Sequence, residues 1–404
     1  MQNRRKFLKN SLLTVTGAGL VSRSLPQSLV GNESAEQDTK FVYRTLGKTG
    51  IRLPVISMGT GNTDNPSLVR QALEKGVKLL ATAEAYQNGN NEKMVGSVLK
   101  DKPRDSFVIM TNSTDINLLD TQTGVYNSGF DPKVYMQRVD NSLERLEVDY
   151  VDIFIQPFAA TRESVFHEPA RKAMENIKKM GKAKYLGIAT HRLEHEAIRA
   201  AVDIGMYDVI MTAYNFRRQN KEELDDAIQY AAESGLGIIA MKTMAGAFWD
   251  REKTKPINST AALKWVLQNK NVHTTVPDCS SYDHLNQDLA IMANLELTEE
   301  EKKDLEPPSG DVSSGLYCEQ CSSCIRQCPE DIDIPTIMRS YMYAYGYRNL
   351  DLARKTLCSS GLRTLPCHDC DNCNVKCTMG FDIRSRILDI ARLQDVPEDL
   401  IRHA

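Results

Sequence analysis

The chain has 404 residues, of which 41% are hydrophobic and 25% are charged, and its formal net charge at pH 7 is −3. This length predicts two or three domains, and the composition excludes global disorder, a fibrous repeat and a polytopic membrane protein. Because no overall positive charge is present, we expect no nucleic-acid partner. The ten cysteines are unevenly placed, since all of them except Cys279 follow residue 317.

The first 40 residues have the layout of an export signal followed by a linker. Arg4 and Arg5 precede an apolar run, Ser11–Val21, that is too short and too polar to span a membrane as a helix. The run Asn-Arg-Arg-Lys-Phe-Leu-Lys resembles a twin-arginine signal, which implies export of a folded, cofactor-loaded protein by the twin-arginine (Tat) translocase. The expected location is therefore the periplasm or the outer face of the bacterial inner membrane.

From residue 41 to residue 305, short apolar runs alternate with amphipathic stretches. A predicted hairpin (Phe41–Leu46 and Ile51–Leu53) comes first, and the predicted strands then follow as Val55–Gly59, Lys78–Ala83, Ser106–Thr111, Val151–Gln156, Tyr185–Ala189, Val209–Ala213, Gly237–Met241 and Val272–Val276. The predicted helices between them are Pro66–Lys75, Asp131–Leu146, His167–Met180, Glu194–Ile204, Lys221–Ser234 and Asn258–Gln268.

This alternation determines the predicted fold class, which is α/β. Continuous apolar strands separated by helices indicate a buried parallel sheet, and eight such units match a closed (β/α)8 TIM barrel. A doubly wound open sheet is the alternative, but it usually has fewer strands. No G-x-G-x-x-G motif follows the first strand, so the usual dinucleotide fingerprint is absent from the sequence.

Catalytic groups of such barrels lie at the C-terminal ends of the strands. Glu84 and Tyr86 follow the second predicted strand, and their shared strand parity predicts that both side chains face one pocket. His191 and Lys242 follow the fifth and seventh strands and are candidates to converge with them. The alternative is that all four are polar rim residues with no shared task.

Several segments of this region are similar to the aldo/keto reductase family. They are Arg44–Gly50, Thr82–Tyr86 with Glu92, Ser142–Leu146, Asp149–Asp152, Gly181–Gly187 and the Tyr214-Asn215 pair. The family implies a barrel in which a tyrosine donates a proton to a carbonyl oxygen as hydride arrives from NADPH. A lysine paired with an aspartate lowers the pKa of that tyrosine, and a histidine orients the carbonyl group.

Carried over by position, this resemblance keeps only the tyrosine, as Tyr86. The aspartate, lysine and histidine positions hold Ala81, Asn112 and Gln156, while Tyr214 and Asn215 remain as implied cofactor-binding residues. A tyrosine without assistance has a pKa near 10, and Asn112 brings no positive charge to lower it.

The implied cofactor region departs from the family as well. Asp278 replaces the glycine of the turn after the last strand, where an acid would repel a ribose phosphate, and Asp288 replaces the asparagine that contacts adenine. An exported protein also meets no soluble NADPH pool. The sequence therefore argues against NAD(P)H as a cofactor and against ordinary NADPH-dependent carbonyl reduction.

The tail, which we define as residues 306–404, contains two cysteine runs of the form C-x2-C-x2-C-x3-C. This is the ligand spacing of bacterial ferredoxins with two [4Fe–4S] clusters, in which the fourth cysteine of each run ligates the other cluster. We therefore expect one cluster on Cys318, Cys321, Cys324 and Cys377, and the other on Cys367, Cys370, Cys373 and Cys328. The second run departs from the pattern, with Thr378 where proline usually stands.

Zinc sites and disulfides are the alternatives for these cysteines. Zinc is usually held by two C-x2-C pairs, and cysteines three residues apart are poorly placed for disulfides in a folded core. Between the two runs, Ile334–Leu357 is predicted to be helical and carries Tyr341, Tyr343, Tyr345 and Tyr347 as a docking or core face. The predicted tail is thus a small, mainly α-helical, ferredoxin-like two-cluster domain.

A barrel followed by such a tail resembles a branch of the aldo/keto reductase superfamily with a 4Fe-4S dicluster domain. The first hypothesis is an exported redox protein whose clusters transfer electrons to or from the barrel mouth or a redox partner protein. The second is an NAD(P)H-dependent reductase with a rearranged site, and the third is a non-catalytic binding or assembly module with structural clusters. A small-molecule substrate, and whether the chain is an enzyme, stay open at this point.

Overall fold

The computed structural model describes residues 41–308, 315–330, 332–362, 367, 370 and 373–401. The predicted export signal and linker (residues 1–40) lie outside the described residues. Residues 40–404 form one compact unit, so the barrel and the tail are described together.

An antiparallel hairpin closes the N-terminal end of the barrel. Strand β1 (Tyr43–Thr45) pairs with β2 (Arg52–Pro54). Leu46, which follows β1, and Leu53 within β2 are fully buried against apolar residues of the barrel interior. Tyr185 donates a hydrogen bond from its hydroxyl to the carbonyl oxygen of Thr49 over 2.6 Å, which ties the hairpin to the barrel wall.

Eight parallel strands form the main sheet, and each is hydrogen-bonded to the next strand in chain order. They are β3 (Met58–Gly59), β4 (Leu79–Ala81), β5 (Val108–Thr111), β6 (Val151–Gln156), β7 (Ala183–Thr190), β8 (Val209–Ala213), β9 (Gly237–Met241) and β10 (Thr274–Thr275). Isolated parallel bridges from Ile56 to Thr275 and from Gly59 to Asp278 join the first strand to the last. The sheet is therefore a closed (β/α)8 barrel, as the strand pattern predicted.

Ten α-helices precede the tail in the described chain. They are α1 (Pro66–Glu74), α2 (Asn90–Leu99), α3 (Pro132–Leu146), α4 (Arg162–Phe166), α5 (Glu168–Lys179), α6 (Glu194–Ile204), α7 (Lys221–Glu233), α8 (Ser259–Gln268), α9 (Tyr282–Ile291) and α10 (Glu299–Asp304). Most are capped by side chains, as where the side chain of Asn65 accepts hydrogen bonds from the first turn of α1. Their apolar faces cover the outside of the barrel and build its largest apolar cluster.

The tail contributes α11 (Ile334–Tyr345), α12 (Leu350–Ser359), α13 (Ile383–Ala391) and α14 (Glu398–Ile401) among its described residues. The sequence predicted one helical stretch from Ile334 to Leu357, but the structure breaks it after Tyr345. The break follows from Gly346 and from Arg348, whose φ of 55° is left-handed and ends a regular helix.

Helix α11 is buried along nearly its whole length, from Ile334 to Ala344. It lies over the C-terminal end of the barrel, because its Tyr343 contacts Lys242 at the end of β9. Gly346 packs so closely on the barrel that an added Cβ would lie 2.5 Å from the carbonyl oxygen of Gly246. The tail therefore covers the mouth that an isolated barrel would leave open to solvent.

No helix in the described part of the chain combines the length and the apolar character that a membrane span requires.

Candidate functional site: the barrel mouth and two cysteine cavities

The structure gathers the tail cysteines into two sets of four. The first cysteine cavity is lined by Cys318, Cys321, Cys324 and Cys377. The second cysteine cavity is lined by Cys328, Cys367, Cys370 and Cys373. Each set thus combines three cysteines of one run with the fourth cysteine of the other run.

Apolar side chains complete the walls of both cavities. Ile334 and Ile383 line both of them, so the two cavities lie side by side. Arg386 is close to the first set, and the thiols of Cys318 and Cys377 oppose the burial that lowers the pKa of this arginine. Burial raises the pKa of the Cys318 thiol to about 12, and its three partner thiols contribute in the same direction.

The donor chemistry of these cavities fits a polynuclear iron–sulfur group better than a single ion or a disulfide. All ten cysteines lie in the described part of the chain and all are free. Within that part, no group of three or more His, Cys, Asp or Glu side chains forms a compact site for one metal ion. Four cysteine thiolates, three from one run and a fourth from another, are the usual ligands of a [4Fe–4S] cluster in bacterial ferredoxins.

At the barrel mouth, Lys242 from the end of β9 meets Tyr343 from α11. The ammonium group of Lys242 donates a hydrogen bond to the hydroxyl of Tyr343 over 2.8 Å. Lys242 has a left-handed backbone with φ of 54°, and its carbonyl oxygen accepts a 3.1 Å hydrogen bond from the side chain of Asn215. This local conformation turns the lysine toward the tail.

A mouth cavity, about the size of one water molecule, lies between this pair and the first cysteine cavity. It is lined by His191, Lys242, Tyr317, Cys318, Gln320, Arg339 and Met342. Burial lowers the pKa of His191 well below its usual value, and the charges of Lys242 and Arg339 lower it further. His191 is therefore neutral at pH 7. Cys318 lines both the mouth cavity and the first cysteine cavity.

Tyr86 lies on another side of the mouth. An added Cβ at Gly61 would lie 3.2 Å from the Tyr86 ring, so the glycine makes room for it. Burial raises the pKa of Tyr86 well above its usual value, and Asp278 and Tyr343 raise it further. Asp278 itself accepts hydrogen bonds from the Gly61 N–H (3.2 Å) and the Asn62 side chain (3.3 Å).

Glu84 does not share a pocket with Tyr86, contrary to the prediction from strand parity. Its carboxylate pairs with Arg138 of α3 at 2.9 Å, outside the barrel interior. The reason is that β4 ends at Ala81, so the chain from Thr82 onward no longer alternates as a strand does. The parity argument fails because it was extended beyond the last strand residue.

The side chains of Gln156 and Tyr214 also lie away from the mouth. Gln156 accepts a 2.6 Å hydrogen bond from the Tyr207 hydroxyl and donates one to the Ser164 carbonyl. Tyr214 donates its hydroxyl hydrogen to Asp225 over 2.6 Å and packs on Trp265 in the helix layer. The structure therefore brings neither residue to the position that the resemblance implies.

The remaining implied positions lie on the inward side of the barrel. Ala81 belongs to the apolar cluster of the barrel interior, and Asn112 is partly exposed just after β5. Asn215 is fully buried, and it holds the backbone at Lys242 and at Arg217. Its observed role is to shape the mouth.

The implied nucleotide region contains two acids, Asp278 and the buried Asp288. Burial raises the pKa of Asp288 to about 7. Burial, with Asp288 and Asp278 nearby, raises the pKa of the Cys279 thiol to about 12. An added Cβ at Gly59 would lie 2.6 Å from Asp278 Oδ1, so the glycine leaves space for this carboxylate. These acids offer no positive charge to a phosphate.

Sequence reasoning missed Tyr343 and Arg339 as residues of the mouth. Tyr343 was noted only as part of a tyrosine-rich helix face, and Arg339 carried no motif. The guanidinium of Arg339 lies 5.6 Å from the centre of the Phe158 ring, and that ring is 5.5 Å from the His191 ring. The one available signal was the density of polar and aromatic residues in a segment predicted to dock.

The closed barrel and the two sulfur-lined cavities together define an oxidoreductase-type barrel joined to an iron–sulfur domain. The family model described as "Aldo/keto reductase family" matches residues 60–261, and the one described as "4Fe-4S dicluster domain" matches residues 317–382. The first match spans half of the chain, so this protein belongs to the aldo/keto reductase family.

Individual relatives are similar over the barrel. The chain is 26% identical over 302 residues to L-galactose dehydrogenase of Arabidopsis thaliana, covering 64% of this chain and 90% of that protein. Aldo-keto reductase AKR11C1 of Bacillus halodurans (holo form) superposes with a TM-score of 0.52 at 22% identity, covering 66% of this chain and 95% of that one.

A Klebsiella pneumoniae aldo-keto reductase solved in complex with NADPH gives a TM-score of 0.51 at 20% identity, with 66% of this chain and 94% of that one covered. At these identities the solved structures establish the fold of the barrel alone.

Proposed function

We propose that this protein is an exported iron–sulfur oxidoreductase in which two [4Fe–4S] clusters transfer electrons between a redox partner and the barrel mouth. The observation that carries the proposal is the position of Cys318, which lines both the first cysteine cavity and the mouth cavity beside His191 and Lys242. Clusters held by these cysteines would supply one-electron transfer.

The two ligand sets are those that the cavities define. Cys318, Cys321, Cys324 and Cys377 would hold the cluster next to the mouth, and Cys328, Cys367, Cys370 and Cys373 would hold the second. Ile334 and Ile383 separate the two sets with apolar atoms, which keep water away from the space between them.

Buried ion pairs keep the first set against the barrel. Arg218 makes a two-pronged contact with Glu194 at 2.7 and 2.8 Å and also donates to the hydroxyl of Tyr317, the residue before Cys318. Arg192 pairs with Asp333 at 3.2 Å and donates to Ser322 within the first cysteine run. Burying a charged group is costly unless an opposite charge pairs with it. These buried pairs therefore support a tail that is firmly docked on the barrel.

The mouth is poorly suited to the usual nicotinamide chemistry of the family. Helix α11 covers it, Asp278 and Asp288 stand where the resemblance implies nucleotide contacts, and no lysine in the described part of the chain lowers the pKa of Tyr86. The competing function, an NAD(P)H-dependent reductase with a rearranged site, draws its support from the Klebsiella pneumoniae relative solved with NADPH. Nucleotide binding separates the two.

The deciding experiment is anaerobic purification of the full-length holoprotein, followed by iron and sulfide analysis, protein-film voltammetry and fluorescence titration with NADPH and NADH. We expect about eight irons per chain, reversible reduction of both clusters and no saturable nucleotide binding. Saturable micromolar binding would favour the reductase instead. Clusters that cannot be cycled without unfolding would favour a structural role, and zinc in place of iron would overturn the redox role of the tail.

Export is a separate part of the proposal and is supported by the sequence pattern alone. Replacing Arg4 and Arg5 by lysine keeps the charge but removes the two guanidinium groups. We expect the double variant to accumulate in the cytoplasm, while the unaltered chain reaches the periplasmic fraction or the outer face of the inner membrane. Equal export of both chains would contradict the twin-arginine assignment.

A further inference from the structure

The mouth contains a lysine–tyrosine pair that neither the motifs nor the family comparison identifies. Lys242 comes from the barrel and Tyr343 from the tail, 101 residues further along the chain, and their polar atoms are 2.8 Å apart. Tyr343 is only 8% exposed. The pair therefore exists only when the tail is docked on the barrel.

The charges around Tyr343 favour release of its proton. Burial alone would raise the pKa of Tyr343, but the charges of Lys242 and Arg339 and the hydrogen bond from Lys242 outweigh it, so the pKa is lowered. The opposite holds for Tyr86, whose pKa is raised by burial and then by Asp278 and Tyr343. Of Tyr86 and Tyr343, it is Tyr343 that accepts a hydrogen bond from the lysine.

We propose that the hydroxyl of Tyr343, held by the ammonium group of Lys242, is the proton-donating group of the barrel mouth. In this step the Oη–H bond of Tyr343 breaks and the proton passes to an oxygen atom of the substrate. The positive charge of Lys242 stabilises the phenolate, which then regains a proton from solvent. The step moves one proton and no electrons, and it rests on the redox function proposed above.

The surroundings also indicate the class of substrate. Lys242 and Arg339 place positive charge at the mouth, which stabilises negative charge that develops on oxygen during reduction, as in a carbonyl group. The mouth cavity has about the size of one water molecule, so a larger substrate must approach from another side. Asn62, Tyr86 and Tyr347 are partly exposed and mark that side.

The expected titration takes every neighbouring charged or titratable group into account. Those facing Tyr343 are Lys242 after β9, Asp278 after β10, Tyr86 after β4, and Arg339 and Tyr347 from the tail. Among these groups only the Asp278 carboxylate opposes ionisation of Tyr343 with a full negative charge. The positive charges of Lys242 and Arg339 outweigh it.

The test is a pH titration by ¹⁹F NMR of oxidised holoprotein labelled with 3-fluorotyrosine. We expect one fluorotyrosine resonance to titrate at lower pH than the resonances of exposed tyrosines. It should be missing in Tyr343→Phe and should move up by about one pH unit or more in Lys242→Met, because an adjacent opposite charge shifts a pKa by roughly that amount. Lys242→Arg should largely restore it.

Tyr347→Phe is the matched control, since its ring lies 6.0 Å from that of Tyr343 and it does not bond to Lys242. The low-pH resonance should persist in this variant and in Tyr86→Phe. Its persistence in Tyr343→Phe, or its loss in Tyr86→Phe, would overturn the inference. If Tyr343→Phe does not fold, the Lys242→Met variant is the deciding test. An unchanged tyrosine titration in Lys242→Met would also overturn the inference.

Voltammetry on the same samples keeps the two proposals distinguishable. Clusters that cycle reversibly without a low-pH tyrosine would leave the electron-transfer function standing and remove only the role of Tyr343. A low-pH tyrosine in a protein whose clusters cannot be cycled would remove the redox function, and with it the use of the proton.

Discussion

The barrel fills its buried apolar clusters with its own side chains, whereas the tail shares its apolar cluster with the barrel. Among the described residues, the tail cluster also contains Ala245, Trp249, Ile257, Ala261 and Ala262, all of which precede the tail. The two main barrel clusters contain only residues from 41 to 295. The tail thus depends on the barrel for part of its core, whereas these barrel clusters contain no described tail residue.

This difference follows from size and chemistry. A segment of about 100 residues can bury only a small core by itself, and eight cluster-type cysteines interrupt this one, so we expect cofactor ligation and docking to supply part of its stability. The barrel closes on itself and needs neither. Single substitutions can test this contrast, and their expected effects on folding and stability decrease in the order given.

Removing one cysteine ligand should have the largest effect, and it should be confined to the tail. Cys318→Ala is expected to lower the iron content from about eight to about four atoms per chain or fewer, and to unfold the tail while the barrel remains. Iron analysis and hydrogen exchange measure both effects. Cys358→Ala is the control, because this exposed cysteine lines neither cavity. A tail that stays ordered in Cys318→Ala would contradict the expected dependence of the tail on cluster ligation.

Breaking the buried ion pair between the two regions should cost almost as much. Arg192 and Asp333 are 4% and 3% exposed in their side chains, so Arg192→Met leaves an unpaired carboxylate buried and should lower the free energy of unfolding by about 3–5 kcal/mol. Arg251→Met is the comparison, because its pair with Asp389 also joins barrel and tail, but the Arg251 side chain is about half exposed. It should cost about 0–1 kcal/mol, and equal losses in denaturant unfolding would refute the argument.

Asp288 should make the barrel less stable as the pH rises. Burial raises its pKa in the folded state to about 7, against roughly 3.9 when unfolded, so the folded state binds the proton more tightly. Stability therefore falls between about pH 4 and pH 7. Asp288→Asn removes this loss, and its stabilising effect should be larger at pH 8 than at pH 5 by about 2–3 kcal/mol. Thermal unfolding at both pH values checks this; an equal effect at both would contradict it.

The smallest effect is expected at the edge of the docked tail. Asn349 caps α12 by accepting the Leu352 N–H at 2.9 Å, and it donates to Asn62 of the barrel over 2.6 Å. Asn349→Ala should cost about 1–2 kcal/mol and speed hydrogen exchange in α12. Ser281→Ala removes a cap of α9 within the barrel and should act only there, at about 1 kcal/mol. Faster exchange in the tail of Ser281→Ala would count against this distinction.

Much of the fold was predictable because its signals are local. Each of the eight predicted strands overlaps an observed one, although the predicted Val272–Val276 shortens to Thr274–Thr275. The cysteine sets also follow from short spacings. Glu84 shows the limit of such reasoning, because it lies three residues beyond the end of β4, where strand parity no longer applies.

The candidate site was predictable only in part. His191 and Lys242 were identified from their places after strands, and the structure brings them to one cavity. Gln156 stands at the family's histidine position and Tyr214 at an implied cofactor position, yet both side chains turn to the helix layer. There Tyr207 donates a hydrogen bond to Gln156, and Asp225 accepts one from Tyr214. Position in a motif does not determine which way a side chain at a strand end points.

By itself, the sequence determined the barrel and the grouping of the cysteines, since periodicity and spacing are properties of short stretches of chain. Only the tertiary structure decided that α11 covers the mouth and that Tyr343 meets Lys242. That contact joins residues 101 positions apart, and it depends on packing, buried charge and the break after Tyr345 acting together. Because contacts between residues so distant in the chain carry no local pattern, no reading of one segment could have located them.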